Sequence, residues 1–123
     1  MNLEDNQKVF KEEAYEKLAE IEETMLELED SPDDSELISK AFRALHTIKG
    51  SGAMFDFNDI VAFTHDIENV YDLVRDAKIP VTKELISLTL SAHDHIKNML
   101  DDPDNESEEM FKKRNEITNA IRS

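Results

Sequence analysis

The sequence predicts an all-α protein: an antiparallel up-down four-helix bundle with an additional C-terminal fifth helix. Three observations carry this. Apolar residues recur at intervals of three and four along five stretches, the spacing that lines one face of a helix. Two glycines and three prolines in 123 residues are too few for a β-chain that must turn about every ten residues. The links between stretches are only a few residues long, and short links join neighbouring helices antiparallel. One domain covering residues 1–123 is the expectation for this length.

The first helix is expected over about 6–29, with Phe10, Ala14, Leu18, Ile21, Met25 and Leu28 inward. Ser31-Pro32-Asp33-Asp34 ends it, because Pro32 lacks the amide hydrogen a continuing helix needs. The second, about 34–54, opens with Asp33 and Glu36 at capping-box spacing and turns Ile38, Ala41, Phe42, Leu45 and Ile48 inward. The third, about 58–78, carries Ile60, Phe63, Thr64, Ile67, Val70, Tyr71 and Val74. Ile79-Pro80-Val81 stops it, and Thr82 is a natural N-cap for the fourth, about 82–101. That helix carries Leu85, Ile86, Leu88, Leu90, Ala92, Ile96, Met99 and Leu100. Beyond Asp102-Pro103-Asp104, Asn105 and Glu108 repeat the capping-box spacing and open a fifth helix, about 106–122. Its thinner stripe of Met110, Phe111, Ile117 and Ile121 places it on the outside of the bundle. The five Met and six Phe at helical spacing read as core fillers.

Composition narrows the chemistry. There is no cysteine, which excludes disulfides, zinc–thiolate sites and thiol catalysis. The formal charge is −15, from 14 basic and 29 acidic residues. Residues 1–36 hold 14 acids and 3 bases, whereas residues 37–100 hold 8 and 7. Without a basic stripe, nucleic acid is not an expected partner. No apolar run approaches the ~18 residues of a membrane span, and the opening residues lack the order of a secretory signal. A cytoplasmic location, away from membranes, is the expectation.

Both glycines fall within His46-Thr47-Ile48-Lys49-Gly50-Ser51-Gly52. Each costs a helix interior about 1 kcal/mol relative to alanine, so two together mark either a helix end or a local purpose. With Leu45 at the centre of the inward arc, His46 lies on the flank of the second helix, where an imidazole stays half exposed. Gly50, one turn on, removes a side chain beside the ring and leaves room for a partner. Lys49 is a helical neighbour of His46, three residues away. An ammonium there disfavours imidazolium and attracts an anion, which suits a neutral, nucleophilic histidine that then carries a phosphoryl group. On the third helix, His65 and Glu68 share one flank. In an antiparallel hairpin His46 is level with His65, and Glu68 lies ~4.5 Å further along the axis. Glu68 is then placed to accept Nδ1–H of His46, fixing the tautomer and leaving Nε2 as nucleophile.

The run Phe42-Arg43-Ala44-Leu45-His46-Thr47-Ile48-Lys49-Gly50-Ser51-Gly52, followed by Thr64-His65-Asp66-Ile67-Glu68-Asn69, resembles the histidine-phosphotransfer (Hpt) domain. More narrowly, it is similar to the N-terminal phosphoacceptor domain of CheA-type chemotaxis histidine kinases. The similarity covers nearly the whole chain. It implies that His46 takes the γ-phosphoryl of ATP from a kinase domain, in cis or in trans, and passes it to an aspartate of a response-regulator receiver domain in two-component signalling. Lys49 would steady the phosphoryl oxygens, Glu68 would orient His46, His65 would join the hydrogen-bond network and Gly50 would leave access. Asp56 stands where the family usually has glycine, close to the end of the second helix.

On this reading the chain is a carrier and not an enzyme by itself. It has no Gly-rich nucleotide loop and no evident acidic cluster for Mg²⁺, so ATP and Mg²⁺ are expected from partner domains, with no cofactor or metal held here. Two other readings compete. A non-catalytic interaction bundle would dock through the acidic first helix. A metal-binding bundle would draw on His65, Glu68, His93 and His95. The Glu-x-x-His pattern of di-iron bundles is missing, however, and His93 and His95, two apart, face different ways.

Overall fold

The computed structural model describes residues 3–55, 57–101 and 108–122, with side chains at 7–55, 57–101 and 112–121. Its helices are α1 (Leu3–Asp30), α2 (Ser35–Met54), α3 (Asn58–Arg75), α4 (Lys83–Asp101) and α5 (Glu108–Arg122). There is no strand among the described residues. Helices α1 and α3 each pack against both α2 and α4, which closes a four-membered ring, and α5 lies against α3 and α4 from outside. Cross-helix contacts run in opposite senses, as an up-down bundle requires. Phe10 and Glu13 on α1 meet Gly52 and Ser51 on α2; Phe63 and Tyr71 on α3 meet His95 and Thr89 on α4.

The apolar stripes explain this arrangement. All six expected inward residues of α1 are buried, as are Ile38, Ala41, Leu45 and Ile48 of α2 and Ile60, Phe63, Ile67, Tyr71 and Val74 of α3. Two polar ties join the helices, one within the core and one at its edge. The hydroxyl of buried Tyr71 sits 2.6 Å from Thr89 Oγ1 and 3.2 Å from Met25 Sδ, linking α3 to α4 and α1. Tyr15 hydrogen-bonds Asp101, fastening α1 to the last residue of α4. The methionines are not uniformly core fillers: Met25 and Met99 are buried, but Met54 is 75% exposed. It is the last residue of α2, and its face turns to solvent.

The helix ends hold several corrections. The cap of α2 is Asp34 and not Asp33: its carboxylate accepts from the amides of Glu36 (3.0 Å) and Leu37 (3.3 Å). With Leu37 at the third helical position, no side chain completes a capping box. Helix α3 stops at Arg75, three residues short of the expected 78. Ala77 turns left-handed there, at φ 60°. Its amide bonds Val74 O (3.0 Å) and that of Lys78 bonds Leu73 O (2.9 Å), the paired pattern of a Schellman cap. Thr82 caps α4 as expected, accepting from the Leu85 amide at 3.0 Å. The expected Asn105–Glu108 capping box lies outside the described side chains, and Asp56 outside the described residues.

The α2–α3 hairpin positions the motif. The amides of Phe55 and Phe57 bond back to Ser51 O (3.3 Å) and Gly52 O (2.9 Å), closing α2 directly into α3. Neither glycine ends α2 and neither has a positive φ. A Cβ on Gly52 would stand 3.0 Å from Val61 Cγ2 and 3.6 Å from Phe10 Cζ, so this glycine lets α2 approach α3 and α1. A Cβ on Gly50 would meet nothing within 4 Å among the described residues.

Candidate functional site

Where α2 and α3 face each other, three of the expected residues converge on one carboxylate. Helix α2 presents His46 and Lys49 one turn apart, and α3 brings Glu68 to the same level. Glu68 Oε2 is 2.8 Å from His46 Nδ1, and Glu68 Oε1 accepts from Lys49 Nζ at 2.7 Å. The two cationic-type groups therefore occupy the two oxygens of a single side chain. Exposure grades sharply across the cluster: the Glu68 side chain is 7% exposed, Lys49 25% and His46 63%.

This gradient has chemical consequences. Burial by itself would raise the Glu68 carboxyl. The hydrogen bonds from Lys49 and His46, with the attraction of their charges, outweigh it and hold the group below its usual 4.5. An ionised Glu68 is an acceptor only, so the His46 nitrogen facing it must carry the proton. In the neutral imidazole Nε2 is then the nitrogen that carries the lone pair. The result is an imidazole oriented by one hydrogen bond and open to solvent, with a negative charge behind it.

Gly50, one turn after His46, lies on the exposed side of α2, and among the described residues no side chain comes within 4 Å of where its Cβ would stand. His65 does not join the cluster. It is exposed and has no hydrogen bond or ion pair among the described residues. Three residues before Glu68, its Cβ is turned about 60° around the α3 axis, which carries the side chain off the interhelical seam. Lys49 joins the cluster through its ammonium, which is bound to Glu68. The signal for that bond was available: Lys49 sits on the same flank as His46, and Glu68 is the acid that faces them across the hairpin.

Helical histidines elsewhere form no comparable site. His93 faces Glu22 on α1 at 3.9 Å and Asp94 at 3.0 Å, whereas His95 lies against Phe63 and accepts from Arg114 Nε at 3.3 Å. Among the described residues no group of three or more His, Asp or Glu is placed to hold a metal ion, and no helix is long and apolar enough to cross a membrane.

The sequence model of the Hpt domain matches residues 7–106, most of the chain and the whole of this site. The chain belongs to the Hpt domain family. Among its curated relatives is the chemotaxis protein CheA of Borreliella burgdorferi, 45% identical over 92 residues, which are 75% of this chain and 11% of that protein. The Hpt chain thus spans only about a tenth of that relative's length. Among solved structures, the CheA phosphotransferase domain of Thermotoga maritima superposes with a TM-score of 0.77 at 38% identity. The match covers 82% of this chain and 95% of that one. The fold is also that of the phosphorylated P1 domain of CheA3 in complex with CheY6 from R. sphaeroides. There the TM-score is 0.83 at 24% identity, with 96% of both chains covered. An Hpt domain is a phosphotransfer carrier domain.

Proposed function

We propose that this Hpt domain carries phosphoryl groups in chemotaxis-type two-component signalling, with His46 as the phosphoacceptor. The observation that carries the reading is the 2.8 Å contact of His46 Nδ1 with the buried Glu68 carboxylate, which leaves Nε2 exposed as the nucleophile. In the first step the Nε2 lone pair attacks the γ-phosphorus of ATP held by a kinase domain. The N–P bond forms as the bond to the bridging oxygen breaks, and ADP leaves. Positive charge develops on the imidazole, and Glu68 stabilises it through the Nδ1–H hydrogen bond. In the second step a carboxylate oxygen of a receiver aspartate attacks phosphorus, and neutral imidazole departs.

Lys49 has two jobs in this scheme. Before phosphorylation it holds Glu68 ionised. Afterwards its ammonium, about one turn from His46 on α2, is a cation available to the phosphoryl oxygens. Gly50 leaves room for the approaching partner, and His65, on the solvent side of α3, contributes to the surface that the partner meets. ATP and Mg²⁺ come from the partner domains, and the setting is cytoplasmic. The likeness to CheA proteins and to a phosphorylated domain solved with a CheY protein supports these partners.

The test is phosphoryl transfer from radiolabelled ATP by a chemotaxis-kinase core, with His46→Gln alongside. Acid-labile, base-stable label that depends on His46 is the expected outcome. Absence of label with the cognate kinase would sink the proposal and leave a non-catalytic interaction bundle.

A further inference from the structure

The Glu68 hydrogen bond holds His46 at one atom, in the plane of the ring. One such bond sets the tautomer, but it leaves an exposed imidazole free to rock about the line from Nδ1 to the carboxylate. A nucleophile aimed by Nε2 needs that rocking suppressed, because misdirection of a reacting atom by about 1 Å can cost as much as 100-fold in rate.

A second restraint lies against the ring. Phe42, one turn before His46 on α2, presents its ring nearly parallel to the imidazole, with an interplanar angle of 14° and centroids 6.2 Å apart. Residues four apart on a helix stand one above the other, so the arrangement follows from α2 itself. Phe42 is half-buried against the core, and its ring carries on its surface the Arg75 guanidinium, 4.0 Å from the centroid. Attraction between that cation and the ring face fixes Phe42. Arg75 is in turn held by Asp72 at 2.9 Å and by its place in the last turn of α3, just before the Schellman cap.

Arg75 follows Glu68 by seven residues, two helical turns, so both project from one side of α3 towards α2. That side supplies the in-plane anchor of His46 directly and the stacking support through Phe42. We infer that Phe42 and Arg75 are positioning residues for His46: Arg75 pins the Phe42 ring, and its flat face holds the imidazole plane that Glu68 leaves free. The inference rests on the proposed role of His46 as phosphoacceptor.

The experiment pairs a structural readout with a kinetic one on the full chain. Phe42→Leu keeps apolar bulk without a flat face, Phe42→Tyr keeps the face, and Arg75→Met keeps the stem without the cation. The motion of the His46 ring is read from relaxation of its carbon-bound hydrogens by NMR, which needs no kinase. Phosphorylation by the cognate kinase core is read as kcat and KM. Phe42→Leu is expected to loosen the ring and lower kcat about fivefold with KM unchanged. Phe42→Tyr restores both, and Arg75→Met moves both in the same direction, kcat by about twofold. A ring equally rigid in Phe42→Leu and Arg75→Met, with unaltered kcat, overturns the inference. Should Phe42→Leu unfold, Arg75→Met decides alone, since its side chain lies outside the core. If the wild-type chain takes no label, the proposed function falls, and the ring motion still decides whether Phe42 and Arg75 hold His46.

Discussion

At the Glu68 carboxylate, burial and hydrogen bonding act in opposite directions, and hydrogen bonding wins by recruiting two donors. Removing one donor should shift the balance. In Lys49→Ala, burial is opposed by His46 alone, so the Glu68 carboxyl should rise from its present position below 4.5. A carbon-13 titration of the Glu68 side chain would show it, and an unmoved carboxyl would mean that Lys49 is not what holds the group ionised. The sign for stability follows. A carboxyl lowered on folding contributes stability above about 4.5, and this is lost as pH falls through the folded value. Glu68→Gln should abolish that dependence. It should also slow phosphorylation about tenfold or more while leaving the helical spectrum intact, because it takes the orienting charge from His46. Normal kinetics in this variant would remove Glu68 from the mechanism. At this scale the sequence was informative about His46 and Glu68, whose flank positions follow from helical periodicity. It was not informative about Phe42, which reads as a core residue from the same periodicity and whose contact with Arg75 depends on how far α3 runs.

The helices show how similar sequence signals separate once they pack. Gly50 and Gly52 stand two residues apart, yet they sit on opposite sides of α2. A methyl group on Gly50 meets open space, so Gly50→Ala should raise stability by about 0.5–1 kcal/mol through helix propensity. The same group on Gly52 meets the stiff, β-branched Val61 at 3.0 Å, so Gly52→Ala should cost about 1–3 kcal/mol. Urea unfolding of the two variants gives both signs, and equal shifts would contradict the packing argument. Because Gly50 is not required by packing, a slower transfer in the more stable Gly50→Ala would identify the space above it as room for a partner. Left-handed Ala77 makes a third case. Glycine takes φ 60° without the steric cost that alanine carries. Ala77→Gly should therefore raise the thermal midpoint by a few degrees, the equivalent of about 1 kcal/mol. An unchanged or lower midpoint would show that the Schellman turn holds Ala77 without strain. No local pattern marked this turn, since Asp76-Ala77-Lys78 has no glycine and Pro80 placed the helix end too late.

Across the whole molecule, His95 links the ring of four helices to α5. Burial, assisted by the nearby charges of Arg114 and Lys113, pushes its imidazole down from 6.5 to about 4. Between these values an unfolded chain binds a proton that the folded chain refuses, so stability falls as pH drops from 6.5 to 4, by an amount of order 3 kcal/mol. Replacing His95 by Leu should flatten that part of the stability–pH curve, and a curve of unchanged slope would exonerate His95. The four-helix order, the inward stripes and the position of His46 were all legible because each depends on spacing along one helix, where the 3.6-residue repeat fixes what faces inward. Tertiary structure alone decided that His65 stays outside the cluster, that Phe42 is clamped by Arg75, and that the two glycines differ. Each of these turns on the depth, register or separation of two helices, a matter of an ångström or two across the seam. A repeat along one chain segment carries no record of such distances, because they are settled only when both surfaces pack.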